Sequence, residues 1–206
     1  MNEPEKSRSL RERLVDVGVE LVAEEGAQAL TLREIARRAG VSHGAPRRYF
    51  PTHLELLSAI ARRGFAELAE RAARVTGPTG EGHATGPRAQ LTALGRVYLD
   101  FALGNRGMYE LMFRHDLLES GHLGLRDTSL PLFALLVDLV GRASPTATGA
   151  YAGADARTVA GSLWANLHGI AQLWGWGSLQ LATGTDDFTP VLRTALDAHL
   201  GPEDAR

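Results

Sequence analysis

Apolar residues recur every three or four positions along most of the chain, and no stretch sustains a period of two. The pattern therefore predicts helices throughout and no sheet, an all-α protein. The first stripe is Leu10, Leu14, Val17, Leu21 and Val22, opened by Ser9 with Glu12 as a capping box and closed near Gly26. A shorter stripe (Leu32, Ile35, Ala36, Ala39) begins at Thr31, which pairs with Glu34 in a second box, and stops at Gly40. Ser42 then caps a segment to Tyr49, with Pro46 near its first turn, where a missing amide donor costs little. Thr52 and Glu55 repeat the box before a longer stripe of Leu57, Ile60, Ala61, Gly64, Phe65 and Leu68, running to about Val75. Residues 76–87, rich in Gly, Pro and Thr, predict a flexible loop.

Helical spacing resumes at Arg88 to Leu103, through Leu91, Leu94, Val97, Tyr98 and Phe101. Arg106 to Leu118 is short and bulky, and Thr128 to Arg142 carries Leu132, Leu135, Leu136, Leu139 and Val140 with Pro131 in its first turn. After a second loop, Ser144 to Ala154, Asp155 opens a long helix to about Leu181, and Asp186 or Asp187 opens the last. The long helix is apolar on more than one side: Val159, Leu163, Leu167 and Ile170 on one, Trp164, His168 and Ala171 on another. Such a helix is buried on both faces. One face serves its own core and the other a partner subunit, so a homodimer through the last two helices is expected, as a four-helix interface.

The pair Thr31–Ala39 and Ser42–Tyr49, joined by a glycine turn, reads as a helix-turn-helix whose second helix enters the DNA major groove. Charge sharpens this reading. The chain as a whole is at -2, but residues 31–50 hold five arginines and one glutamate. Positive charge is focused where phosphates would lie. Arg47 and Arg48 are the leading DNA contacts, because a guanidinium bonds guanine O6 and N7 or grips a phosphate. Ser42, His43 and Tyr49 add further base or phosphate contacts, Gly44 keeps the segment slim, and Thr31 and Arg33 complete the set from the positioning helix. Arg8 and Arg11 reach either a phosphate or only solvent.

Ile35-Ala36, Ala39-Gly40-Val41-Ser42, Gly44, Tyr49-Phe50, Leu54 and Leu57 together resemble the N-terminal domain of the TetR family of one-component transcriptional regulators, over roughly the first third of the chain. The resemblance implies a three-helix DNA-binding domain over 1–57, a connecting helix to about 75, and a helical effector-binding and dimerisation domain over 58–206. It implies a repressor that binds a palindromic operator in double-stranded DNA as a homodimer and is released by a small ligand. Two positions depart from the family pattern. Arg47 replaces an aromatic, commonly tyrosine, and His53 replaces a lysine, both of which contact phosphate in the family. Arg47 either keeps that contact or turns it into base readout. His53 is only partly charged near neutrality, so DNA affinity is expected to rise below about pH 6.5. Trp164-Ala165-Asn166-Leu167-His168-Gly169 resembles the tryptophan–histidine–glycine motif of one C-terminal subclass.

All three tryptophans lie within 164–176. With Phe101, Met108, Tyr109, Met112, Phe113, His115, Trp164, His168, Gln172 and Trp174, a mostly apolar pocket with a few polar groups is expected, for an apolar or aromatic small molecule. The same residues also read as core, and His168 as a hydrogen-bonded core histidine. There is no cysteine, so thiolate metal or catalytic sites are excluded. No Gly-rich phosphate loop, nucleophile elbow or paired-histidine metal motif occurs, which leaves an enzyme built on His115 and His168 as a weak rival and calls for no cofactor. A second rival is a helical dimer that has lost DNA binding. With no apolar run of about 18 residues and no leader, a soluble cytoplasmic protein without a membrane partner is expected.

Overall fold

The computed structural model describes residues 9–77, 86–114, 118, 124–143 and 154–202. Among them nine α-helices and no strand occur: α1 (Leu10–Glu25), α2 (Leu32–Arg38), α3 (His53–Thr76), α4 (Pro87–Gly104), α5 (Arg106–Met112), α6 (Leu125–Ala143), α7 (Ala156–Gly175), α8 (Ser178–Thr183) and α9 (Thr189–Leu200). The fold class is all-α, as the helical spacing predicts. The chain divides into two compact units, Met1–Glu67 with Asn105–Thr128, and Leu68–Gly104 with Ser129–Arg206.

In the first unit α1 packs on α2 and α5. Its centre is Leu14, Leu21, Ile35, Phe50, Leu56 and Ile60, all fully buried. The short helix α5, far beyond the motif in sequence, belongs here. Gly107 explains how: a Cβ on it would lie 2.3 Å from the Val22 carbonyl oxygen, so α5 rests directly on the α1 backbone. The Ser9–Glu12 capping box forms in full. The Thr31–Glu34 box forms only in half. Thr31 Oγ1 accepts from the Glu34 amide at 3.1 Å, but the Glu34 carboxylate turns to Arg37 and Arg38 instead of back to the cap.

In the second unit α4, α7 and α9 pack against one another around Leu91, Leu99, Leu163, Leu192 and Leu196. Arg88 at the start of α4 donates to the carbonyls of Leu196 (3.3 Å) and Gly201 (3.1 Å) and pairs with Asp197, finishing the C-terminus of α9. Gln90 donates to Thr76 O at 3.2 Å and accepts from Arg142 at 2.8 Å, tying the ends of α3 and α6 to α4.

Five boundaries differ from the sequence reading. Helix α5 ends at Met112, with Phe113 as its cap, where a helix to Leu118 was expected, and the last helix opens at Thr189, not at Asp186 or Asp187. The long helix expected to reach Leu181 stops at Gly175, because Gly177 takes a left-handed φ of 76° and restarts the chain as α8. Helix α6 starts at Leu125, not Thr128, so Pro131 lies inside the helix and not in its first turn. Buried Leu125 anchors the extra turn. The segment Ser42–Tyr49 holds only a 3₁₀ turn, Pro46–Arg48, where an α-helix was expected. Pro46 has no amide to bond the Ser42 carbonyl, which instead takes the Ala45 amide at 2.9 Å.

Candidate nucleic-acid interface and effector site

The helix-turn-helix is held by three devices. Arg13 on α1 donates to the Ala39 carbonyl at 2.9 Å, satisfying one open group at the end of α2. Gly40, at φ 67°, turns the chain, and the Val41 amide returns to Ala36 O at 3.0 Å. Past the turn, Phe50 plugs the core, its amide bonded to Pro46 O at 2.9 Å and its ring covered by the Arg11 guanidinium at 5.0 Å. Arg11 is thus placed over an aromatic face, while Arg8 lies outside the described residues.

The five arginines of the motif divide into two kinds. Arg37 binds Glu34 through two hydrogen bonds, 2.8 and 2.5 Å. Arg38 meets Glu34 at 3.0 Å and Glu24 at 2.5 Å, and also pairs with Glu25. Hydrogen bonds from Arg37 and then Arg38 hold the Glu34 carboxyl down at about 2. Arg33, Arg47 and Arg48 are exposed, and their side chains form no hydrogen bond or ion pair among the described residues; the same holds for His43. Thr31, Ser42, Gly44 and Tyr49 are also at the surface, and a Cβ on Gly44 would meet nothing within 4 Å. His53 differs from the rest: it is half-buried, and its Nε2 lies 2.5 Å from the Leu30 carbonyl oxygen.

The residues expected to line a ligand pocket are distributed over both units. Met108, Tyr109 and Met112 are buried in the first unit, where Phe113 meets Phe65 and Tyr109 edge to face, with centroids 5.7 and 5.0 Å apart. Phe101 is fully buried in the second unit, beneath the Arg71 guanidinium at 5.4 Å. Trp174 is buried against Phe188, 6.0 Å away, and Gln172 is half-buried on the same helix. His115 lies outside the described residues. One cluster in the second unit has both rings and polar atoms. Trp164 lies 6.1 Å from His168 and 6.3 Å from Phe133, and Arg157 sits over Phe133 at 5.8 Å. The Tyr98 hydroxyl and His168 Nδ1 share a hydrogen bond of 3.0 Å. Burial holds the His168 imidazole below the usual histidine range, so the ring is neutral at pH 7. Trp164 itself remains 37% exposed. No group of three metal-ligating side chains occurs among the described residues.

Residues 14–60 match the family described as bacterial regulatory proteins, tetR family. Residues 91–198, more than half the chain, match the tetracyclin repressor-like C-terminal domain. The chain belongs to the TetR family. A fragment of 55 residues is 36% identical to the uncharacterized HTH-type transcriptional regulator TtgW of Pseudomonas putida, spanning 27% of this chain and 41% of that protein. A protein of unknown function from Rhodococcus sp. RHA1 has the same fold at 28% identity, with a TM-score of 0.76 and 97% of each chain covered. The multidrug binding protein EbrR, solved with imidazole, shares the fold at 23% identity and a TM-score of 0.56, over 97% of this chain and 99% of that one.

As a TetR-family member the chain is a DNA-binding transcriptional regulator with an N-terminal helix-turn-helix and a C-terminal helical domain, and it is not an enzyme. No helix among the described residues is long and apolar enough to cross a membrane. Sequence reasoning in this TetR-family chain missed Phe133 and Arg157, which join the Trp164–His168 cluster, and the commitment of Arg37 and Arg38 to carboxylates. The second had a visible signal, since Glu34 stands three and four residues before the two arginines on one helix. The first had none, because Phe133 lies on a different helix thirty-one residues from Trp164.

Proposed function

We propose that this TetR-family regulator is a repressor that binds a palindromic operator as a homodimer and releases it when a small aromatic or apolar molecule binds the second unit. The observation that carries the DNA reading is the set of exposed, uncommitted cations Arg33, Arg47 and Arg48, beside arginines already neutralised by Glu34. Thr31, Ser42, His43, Gly44 and Tyr49 complete the DNA-facing set. Arg47 and Arg48 end the turn that enters the groove.

For the ligand, the cluster of Trp164, His168, Tyr98 and Phe133 supports an aromatic guest. It offers ring faces together with a neutral imidazole and a phenol for orientation. The binding of imidazole by EbrR is in keeping with a small-molecule effector. For the dimer, α7 leaves Ser162, Ala165 and Leu173 exposed, and Trp176, just past its end, is 62% exposed. α9 leaves Thr194 and Ala198 exposed. Small residues beside exposed large ones suit close helix contact with a second copy across a two-fold axis. Ligand then acts by population shift, favouring a conformer whose recognition segments have the wrong spacing for one operator.

The test is selection of duplexes from a random library with the purified protein, followed by salt titration on the recovered sequence. A palindromic duplex bound by a dimer is expected, with log affinity falling linearly in log salt at about 0.9 per phosphate contacted. Recovery of no preferred sequence, or binding of a monomer, overturns the reading.

A further inference from the structure

His53 is the first residue of α3, and its ring reaches back across the motif to the Leu30 carbonyl, 2.5 Å from Nε2. Leu30 immediately precedes Thr31, the cap of α2. Its carbonyl is outside the α2 ladder, whose first bond runs from the Ile35 amide to Thr31 O. Without a donor this part-buried oxygen would lose a hydrogen bond to water and gain none. Because the acceptor is a carbonyl, Nε2 must carry the proton, and a neutral ring is sufficient for that. The contact joins the two ends of the segment 31–52, which contains α2, the glycine turn and the 3₁₀ turn. One end leads to Arg33 and the other follows Arg47 and Arg48.

We propose that His53 is a positioning residue. It staples the base of the helix-turn-helix through Leu30 O and so fixes Arg33 relative to Arg47 and Arg48, rather than acting as a cation on phosphate. The inference rests on the DNA-binding reading, because its functional consequence is operator affinity. Loss of the staple weakens binding without removing a phosphate contact. A glutamine amide can stand in for Nε2, whereas an asparagine amide reaches only to the place of Nδ1.

The experiment compares His53→Gln, His53→Asn and His53→Ala with the wild-type chain on a duplex recovered by the wild type from a random library. Folding is checked by circular dichroism. The staple predicts affinity within about threefold of wild type for His53→Gln and roughly tenfold weaker for the other two, with the salt slope unchanged in all three. Equal weakening of all three variants, or no weakening in any, overturns it. So does a slope reduced by about 0.9 per subunit, the mark of a lost phosphate contact. If His53→Ala does not fold, the Gln and Asn variants decide. A DNA-independent readout keeps the two readings apart. Nitrogen-15 NMR of the histidine rings, with His53 assigned by its absence in His53→Gln, is expected to show Nε2–H at neutral pH with coupling to the Leu30 carbonyl. An Nδ1–H ring overturns the staple even if the protein binds DNA. Failure to recover any duplex, with the Nε2–H signal present, overturns the DNA reading and leaves the staple standing.

Discussion

Arg37 and Arg38 end α2, and Arg47 and Arg48 end the 3₁₀ turn that follows. The two pairs have the same residue type, lie ten positions apart and contribute equally to any count of charge. Yet the first pair is spent inside the protein. Glu34 faces both arginines from one turn earlier, and Glu24 and Glu25 close on Arg38 from the end of α1. The second pair has no such neighbours among the described residues and stays exposed. A basic stretch is therefore not in itself a nucleic-acid footprint. What matters is which cations remain after the nearby carboxylates have taken theirs, and here that leaves Arg33, Arg47 and Arg48.

The comparison breaks down entirely if the turn loses its anchor. Phe50 is fully buried, so Phe50→Ala should cost about 3–5 kcal/mol. A urea melt is expected to show that loss, with DNA binding abolished along with the fold. The next largest effect separates the pairs. Arg47→Ala with Arg48→Ala should weaken binding to a selected duplex by about a hundredfold and reduce the salt slope by about 0.9 for each phosphate lost, at an unchanged melting temperature. Arg38→Ala should do the reverse, lowering the melting temperature while the salt slope stays. If both variants changed the slope alike, the division of the arginines would be wrong.

A smaller effect follows from Glu34. Its carboxyl is held at about 2, against about 4.5 when unperturbed. A carboxylate lowered in this way stabilises the folded state fully above its unfolded value, and that contribution fades as pH falls toward its folded value. Melting temperature should therefore decline between about pH 4.5 and 2, and the decline should be shallower in Glu34→Gln. An unchanged slope in the variant would show that the knot around Arg37 and Arg38 is not what acid disrupts.

The helices were legible in the sequence wherever a stripe was long. α1 and α3 each bury four or more residues at helical spacing, and no local feature competes with that pattern. The short motif was legible in outline only. Its turn glycine and its caps were visible, but Pro46 converts the expected recognition helix into a 3₁₀ turn by removing one amide. The exposure of Arg33, Ser42, His43, Arg47 and Arg48 was legible, because it follows from being polar at the motif's outer positions. The contact of His53 with Leu30 was not legible, because the partner is a backbone carbonyl twenty-three residues away and carries no side-chain signal. Least legible was the grouping of the residues proposed to line a ligand pocket. Met108 and Phe101 are both apolar residues on helices, and only the fold assigns one to each unit. Their periodicity records burial but not the neighbour they are buried against.

Gly44 gives the smallest and sharpest test of where DNA lies. The protein itself does not need this glycine, since its φ is not positive and a Cβ would meet nothing within 4 Å. Gly44→Ala should therefore leave the melting temperature unchanged or slightly raised, because alanine gives the unfolded chain less freedom to lose. Any loss of affinity for a selected duplex must then come from the DNA side of the contact. A several-fold loss would place a base edge or phosphate close to Gly44 and sharpen the contrast with the end of α2, where Arg37 and Arg38 face carboxylates instead. Full affinity in Gly44→Ala would move the closest approach toward Arg47 and Arg48 at the far end of the turn.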